Sequence, residues 1–173
     1  MSDSTAKPDG IHLKLEMLSQ PRYLSGAREL VAAVAKRLGF TERACGQIAL
    51  AIDEALCNVM CHGYERDPNG VIWMSIEPLG GRSPDNEATG IRIVIEDEAK
   101  QIDPDKIKSR NLDDIRPGGL GVHIIHEVMD SVRFQKRDAI GMRLSLEKNI
   151  DSDQGADNAE GASTEGACGH KRK

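Results

Sequence analysis

Aromatic residues are scarce: one Trp, two Tyr and two Phe in 173 residues. Any core must therefore be built from Ile, Leu, Val, Ala and Met. No apolar run approaches the length of a membrane span, so no membrane partner is expected. A basic excess is also missing. Lys and Arg total 23 against 28 Asp and Glu, a formal charge of −5. That balance argues against a chain that coats nucleic acid, and no direct nucleic-acid partner is expected. The opening Met-Ser-Asp-Ser-Thr-Ala-Lys-Pro lacks the apolar core of a signal peptide, so the expected location is the cytoplasm. Cysteines stand only at positions 45, 57, 61 and 168, which is no secreted disulfide framework. Reduced thiols are the simple reading.

What is present describes a soluble domain. Apolar residues make up 39% and charged residues 29%. The length suits one domain with a tail. Residues 1–10 are polar and read as a flexible N-terminus. From 151 to 173 there is no Ile, Leu, Val, Met or aromatic residue, and five acids against three terminal basic residues leave that stretch at −2. It cannot bury enough surface to offset chain entropy, so 150–173 reads as a disordered acidic tail and 11–149 as the ordered domain.

Periodicity supplies the elements. Ile11, Leu13, Leu15 and Met17 alternate with polar residues, the pattern of a half-buried strand. Leu24, Ala27, Val31, Val34 and Leu38 share a helical face that Gly39 can stop. Thr41 can cap a second helix running to about Cys61, with Ile48, Ile52, Ala55, Leu56 and Val59 facing the core. Strands are expected over 71–77 and 91–96, separated by a polar loop over 78–90. The stretch from Asp97 to Gly121 is a 25-residue polar connection, with a short helical piece expected near 104–109. Connections of that length inside a compact domain tend to be functional. A helix over 122–129 and a hairpin over 132–137 and 140–147 close the domain. Paired strands and segregated helices predict an α+β fold, a two-layer α/β sandwich whose mixed, mainly antiparallel sheet carries helices on one face.

Three places carry candidate chemistry. Glu54 and Asn58 are four apart and share a face of the second helix, off its apolar stripe. A solvated face is the ordinary reading. The functional one is a carboxylate base beside a neutral oxygen ligand for Mg²⁺, which adds a ligand without charge to a metal already carrying phosphate oxygens. Asp97 stands just past the 91–96 strand. It could form an Asx turn or a cap, or accept a hydrogen bond from an amino group such as that of adenine. Pro117-Gly118-Gly119-Leu120-Gly121 precedes the third helix. It is a flexible hinge or a phosphate cradle at a helix N-terminus. A Rossmann reading fails because the glycines follow a loop and the third glycine position is Ile124; no Walker lysine follows either. Cys57, Cys61 and His62 lack a second C-x-x-C pair for a metal, and His123 and His126 read as surface or lid residues.

The order of these motifs carries a resemblance. Asp53-Glu54-Ala55-Leu56-Cys57-Asn58, His62-Gly63-Tyr64, Ile95-Glu96-Asp97 running on to Ile102-Asp103-Pro104, and Gly118-Gly119-Leu120-Gly121 with Met129-Asp130 resemble the anti-sigma factor serine/threonine kinases. These belong to the histidine-kinase-like ATPase superfamily. The likeness covers about residues 11–148 and implies the Bergerat ATP-binding fold. It implies ATP and Mg²⁺ as cofactors and serine/threonine protein kinase activity. Glu54 would be the catalytic carboxylate, Asn58 the Mg²⁺ ligand and Asp97 the reader of the adenine amino group. Residues from about 103 to 118 would form a lid, and Gly119, Leu120 and Gly121 would line the phosphates. The implied partners are a STAS-domain anti-anti-sigma protein, a sigma factor and a second copy in a homodimer. Where the family usually places Gly, two residues after the Asp, this chain has Ala99. If that backbone needs φ > 0, Ala costs about 1 kcal/mol, roughly fivefold in affinity. A non-catalytic nucleotide-binding module that sequesters a partner is the alternative. The detached ATP-binding part of a two-component histidine kinase ranks last, since no phospho-accepting helical hairpin is visible upstream.

Overall fold

The computed structural model describes residues 13–80, 87–104, 107 and 120–150. Strand β1 (Leu13–Leu18) leads through a single 3₁₀ turn at Pro21–Tyr23 into helix α1 (Leu24–Leu38). Helix α2 (Glu42–Asn58) follows and passes directly into a π turn over Val59–Gly63. Strands β2 (Val71–Gly80) and β3 (Ala88–Asp97), helix α3 (Leu120–Val128) and strands β4 (Ser131–Lys136) and β5 (Met142–Asn149) complete the order.

Local chemistry explains the helix ends. Gly39 takes φ 102° after α1. Its N–H bonds to the Lys36 carbonyl and that of Phe40 to Ala35, each at 3.2 Å, the double closure of a Schellman motif. Two residues later the Thr41 hydroxyl accepts the Ala44 N–H at 3.2 Å and opens α2. The two helices are therefore joined by a tight corner that turns both apolar faces the same way.

The sheet runs β1-β2-β3-β5-β4. The expected two-layer α+β sandwich is borne out. Where the sequence admitted a mixed sheet, every pairing among the described residues is antiparallel. Apolar side chains form rows across it: Leu15, Met74, Ile95, Leu144 and Phe134 stand in register on five neighbouring strands. These rows meet Val31, Ile48, Ile52, Leu56 and Ile125 of the helices in one core. Each fully buried Ile there contributes about 1.5–3 kcal/mol, so β-branched aliphatics do the work that aromatics do elsewhere. The opposite face of the sheet is polar. Arg92 bridges Glu77 and Glu147, both at 2.7 Å, across three strands.

Some expectations shift. β2 reaches Gly80 and β3 begins at Ala88, so the expected 78–90 loop is shorter. The helix expected from 122 starts at Leu120. Near 104–109 only a turn is described, with Ile107 N–H on the Pro104 carbonyl at 3.0 Å. One helical stretch, Glu42–Gly63, is long and apolar enough to span a membrane by length and composition, and half of its most apolar window is packed inside the domain. As the central helix it touches α1, α3 and the sheet, so its apolar residues cover more than one narrow stripe. The expected N-terminal segment, the tail from 151, and Gly118 and Gly119 lie outside the described residues.

Candidate functional site

Strand alternation explains how a carboxylate comes to be buried. Ile91, Ile93 and Ile95 point into the core, and two residues on the same parity places Asp97 there too. It is the last residue of β3, not the residue beyond it, and pairs across to Ile72 in an otherwise apolar row. Asp97 is only 4% exposed. Its Oδ1 accepts the Ala99 N–H at 2.9 Å and the Met142 N–H at 3.1 Å. Oδ2 takes no hydrogen bond among the described residues. Burial pushes the carboxyl above its usual range, partly offset by those two N–H groups and by the nearby Arg137 charge. The Asx turn posed by the sequence is thus made through Oδ1, while Asp97 also lines a cavity.

Asp97 opens onto a cavity of about 190 Å³ between α2, the π turn, the ends of β3 and β5, and α3. Its walls are mostly apolar, from Ile95, Val122, Phe134, Met142 and Leu144. Asn58, His62 and Lys100 add polar groups, and Ile102 and Ile107 reach it from the long connection. A small apolar slot with few convergent polar groups suits a flat heterocycle.

Glu54 and Asn58 face α3. A Cβ placed on Gly121 would stand 2.5 Å from Glu54 Oε2 and 3.6 Å from Asn58 Nδ2. Both side chains are half-buried, so the solvated-face reading does not hold. Asp53, the neighbouring carboxylate, turns the other way and lies 3.7 Å from Arg28 on α1. Leu120 and Gly121 are in the first turn of α3, where free N–H groups and the helix dipole favour anions. Leu120 is 56% exposed. A neutral amide oxygen from Asn58 beside a helix start fits Mg²⁺ carried in with phosphates. No group of three or more His, Cys, Asp or Glu among the described residues could hold a metal alone.

Ala99 answers the question its sequence raised. Among the described residues only Glu65 and Arg66 are non-glycine positions with positive φ. Ala99 is not strained, so the expected penalty does not arise. Its methyl is buried, and a Cβ on Gly63 would stand 3.0 Å from it. The glycine of His62-Gly63-Tyr64 makes room for it. Cys45, Cys57 and Cys61 form no disulfide among the described residues. Burial, then the neighbouring Asp53, pushes the Cys57 thiol up, away from reactivity.

Sequence reasoning passed over several contributors. The Tyr64 hydroxyl donates to the Val71 carbonyl at 2.6 Å and accepts the Glu98 N–H at 2.8 Å. Arg137 donates to the Asp97 carbonyl at 2.6 Å. Gly141 has φ 88°, and a Cβ there would lie 1.8 Å from the Asp97 carbonyl oxygen. Only its place in a turn was visible in advance, because the strand it presses on is distant in sequence.

The chain is similar to known proteins over most of its length. The chain is 24% identical to the serine-protein kinase RsbW of Bacillus subtilis strain 168 over 147 residues, covering 80% of this chain and 87% of that one. It is 29% identical to the serine-protein kinase RsbW of Staphylococcus aureus strain JH9 over 164 residues, covering 90% and 96%. A structure of the RsbU and RsbW domains of Rv1364c from Mycobacterium tuberculosis shares the fold, with a TM-score of 0.51 at 15% identity over 80% of this chain and 31% of that one. The resemblance to the anti-sigma factor kinases, read from the motifs, is borne out. Residues 17–148, nearly the whole ordered region, match the histidine kinase-like ATPase domain, and the chain belongs to that family.

Proposed function

We propose that this protein is an ATP-dependent serine/threonine protein kinase and anti-sigma factor that phosphorylates a STAS-type anti-anti-sigma protein in a partner-switching system. The observation that carries the reading is the convergence of Glu54 and Asn58 on Gly121 at the start of α3, beside the Asp97 cavity. Kinase activity in the RsbW relatives supports it. On this reading Asp97 Oδ2 accepts the adenine amino group while the apolar walls take the ring. The N–H groups of Gly119, Leu120 and Gly121 receive phosphate oxygens. Asn58 would hold Mg²⁺ through its amide oxygen, and when bound the ion supplies charge neutralisation to the phosphates. Phosphoryl transfer needs positioning more than covalent help. A partner's serine or threonine oxygen bonds to the γ-phosphorus as the bond to the bridging oxygen breaks. ADP departs, and Glu54 takes the hydroxyl proton. The cytoplasm is the setting, with a sigma factor as the competing partner and a homodimer as the working unit.

The rival reading, a module that holds nucleotide without transfer, leaned on Ala99. Its relaxed backbone weakens the strain argument for that reading. The test is equilibrium ATP binding with and without Mg²⁺, comparing wild type with Asn58→Ala, followed by transfer to a STAS-domain serine. Binding that needs both Mg²⁺ and Asn58, followed by phosphoserine on the partner, is the expected outcome. Binding without transfer would move the protein to the rival class.

A further inference from the structure

Past Asp97 the chain turns sharply with little to hold it by burial. Glu98 and Lys100 are exposed, and only the Ala99 methyl is covered. The turn is held by hydrogen bonds from two sides instead. On one side Tyr64 follows the π turn; its ring lies so close over Gly70 that a Cβ there would meet it at 2.5 Å. Its hydroxyl ties the Glu98 N–H to the Val71 carbonyl at the start of β2. On the other side Arg137, just past β4, donates to the Asp97 carbonyl, while its own carbonyl accepts from Gln101 Nε2 at 2.6 Å. The Arg137 N–H closes on the Gly141 carbonyl at 3.1 Å. The guanidinium is fixed in turn. It lies 5.3 Å from the Trp73 ring centroid and 3.7 Å from Glu96 Oε1 on the polar face of the sheet. A planar, multidentate cation can serve three partners at once in a way an ammonium cannot.

We propose that Tyr64 and Arg137 are positioning residues that clamp the Asp97–Gln101 turn and thereby set the purine preference of the pocket. The inference rests on the nucleotide-binding reading above. Neither residue lines the cavity, so each acts through Asp97. The chemistry is one of register. Adenine offers an amino donor where guanine offers a carbonyl acceptor. A carboxylate oxygen held in one place welcomes the first and repels the second. A carboxylate free to shift with its turn loses the adenine bond while gaining nothing with guanine, so discrimination falls along with affinity.

The experiment is calorimetric titration of the full chain with ATP and with GTP, for wild type, Tyr64→Phe, Arg137→Met and Arg137→Lys. Wild type is expected to prefer ATP. Tyr64→Phe and Arg137→Met should each weaken ATP about tenfold, the scale of one hydrogen bond in a buried setting, and change GTP by less than about threefold. Arg137→Lys, which keeps one donor for the Asp97 carbonyl but loses the planar fork, should recover only part of the ATP preference. Tyr64→Phe retains the ring on Gly70, so it decides the matter even where Arg137→Met misfolds. ATP and GTP affinities that fall together, or do not move, would overturn the clamp and leave both residues as hairpin supports. A wild type that binds neither purine would overturn the nucleotide reading itself and the clamp with it.

Discussion

The two ends of the site are held by different forces. At the proposed base end, Asp97 and the turn after it are fixed by hydrogen bonds from Ala99, Met142 and Arg137 and by the Glu98 N–H on the Tyr64 hydroxyl. At the proposed phosphate end, the Glu54 and Asn58 side chains make no hydrogen bond among the described residues. Their neighbour is the bare backbone of Gly121. One end is pre-organised by directional bonds, and the other keeps polar groups uncommitted beside a helix start. The contrast fits the tasks proposed. A heterocycle is recognised by fixed polar atoms, whereas a phosphate arriving with its cation needs groups still free to bind it.

Substitutions at each end can break or sharpen this contrast. The largest effect is expected at Glu54. Glu54→Gln should lower transfer to the partner serine about 10²–10⁴-fold while ATP affinity stays within about threefold, read by phosphoprotein formation beside calorimetry. Unchanged transfer would remove Glu54 from the proton-accepting role. Gly121→Ala comes next. Its methyl would collide with Glu54 Oε2, and misplacement of that order costs about 10² in turnover. ATP-over-GTP preference should survive, since the base end is untouched; loss of that preference would mean the two ends are coupled.

Asp97→Asn should weaken ATP about 10- to 100-fold, the worth of a hydrogen bond to a charged group. It should also flatten a pH dependence. Burial raises the native carboxyl above its ordinary 3.8, so the folded state keeps its proton to higher pH than the unfolded chain. Stability therefore falls as pH rises from about 3.8 through the native value. Thermal midpoints measured across that window should show the fall in wild type and lose it in Asp97→Asn. The smallest effect is expected at Ala99→Gly. With no positive φ to relieve, ATP affinity should change by less than about twofold. A fivefold gain would show that the Ala99 methyl, which lines the cavity, crowds the base.

The motifs that mark the site were readable because each is local. Glu54 and Asn58 share a face by helical spacing, Thr41 and Gly39 punctuate helices by their side-chain chemistry, and Ile91, Ile93 and Ile95 announce a strand by alternation. Extending that alternation by one step would also have shown that Asp97 points inward. Boundaries were less legible. Leu120 and Gly121 read as loop because glycine disfavours helix, yet α3 begins there, since α2 offers its backbone a surface that only a residue without Cβ can approach.

By itself the sequence determined the element order, the apolar rows and the family, because propensity, periodicity and motif spacing are properties of near neighbours along the chain. Only the tertiary structure decided what surrounds Asp97. Its long-range hydrogen-bond partners, Arg137 and Met142, lie 40 and 45 residues after it. Each bond depends on sheet register and on the antiparallel return of β4 and β5, which no local pattern encodes. The same holds for Ala99. Whether its methyl is strained or accommodated depended on its backbone angle and on Gly63 across the cavity, and both were set when the π turn packed against the end of β3.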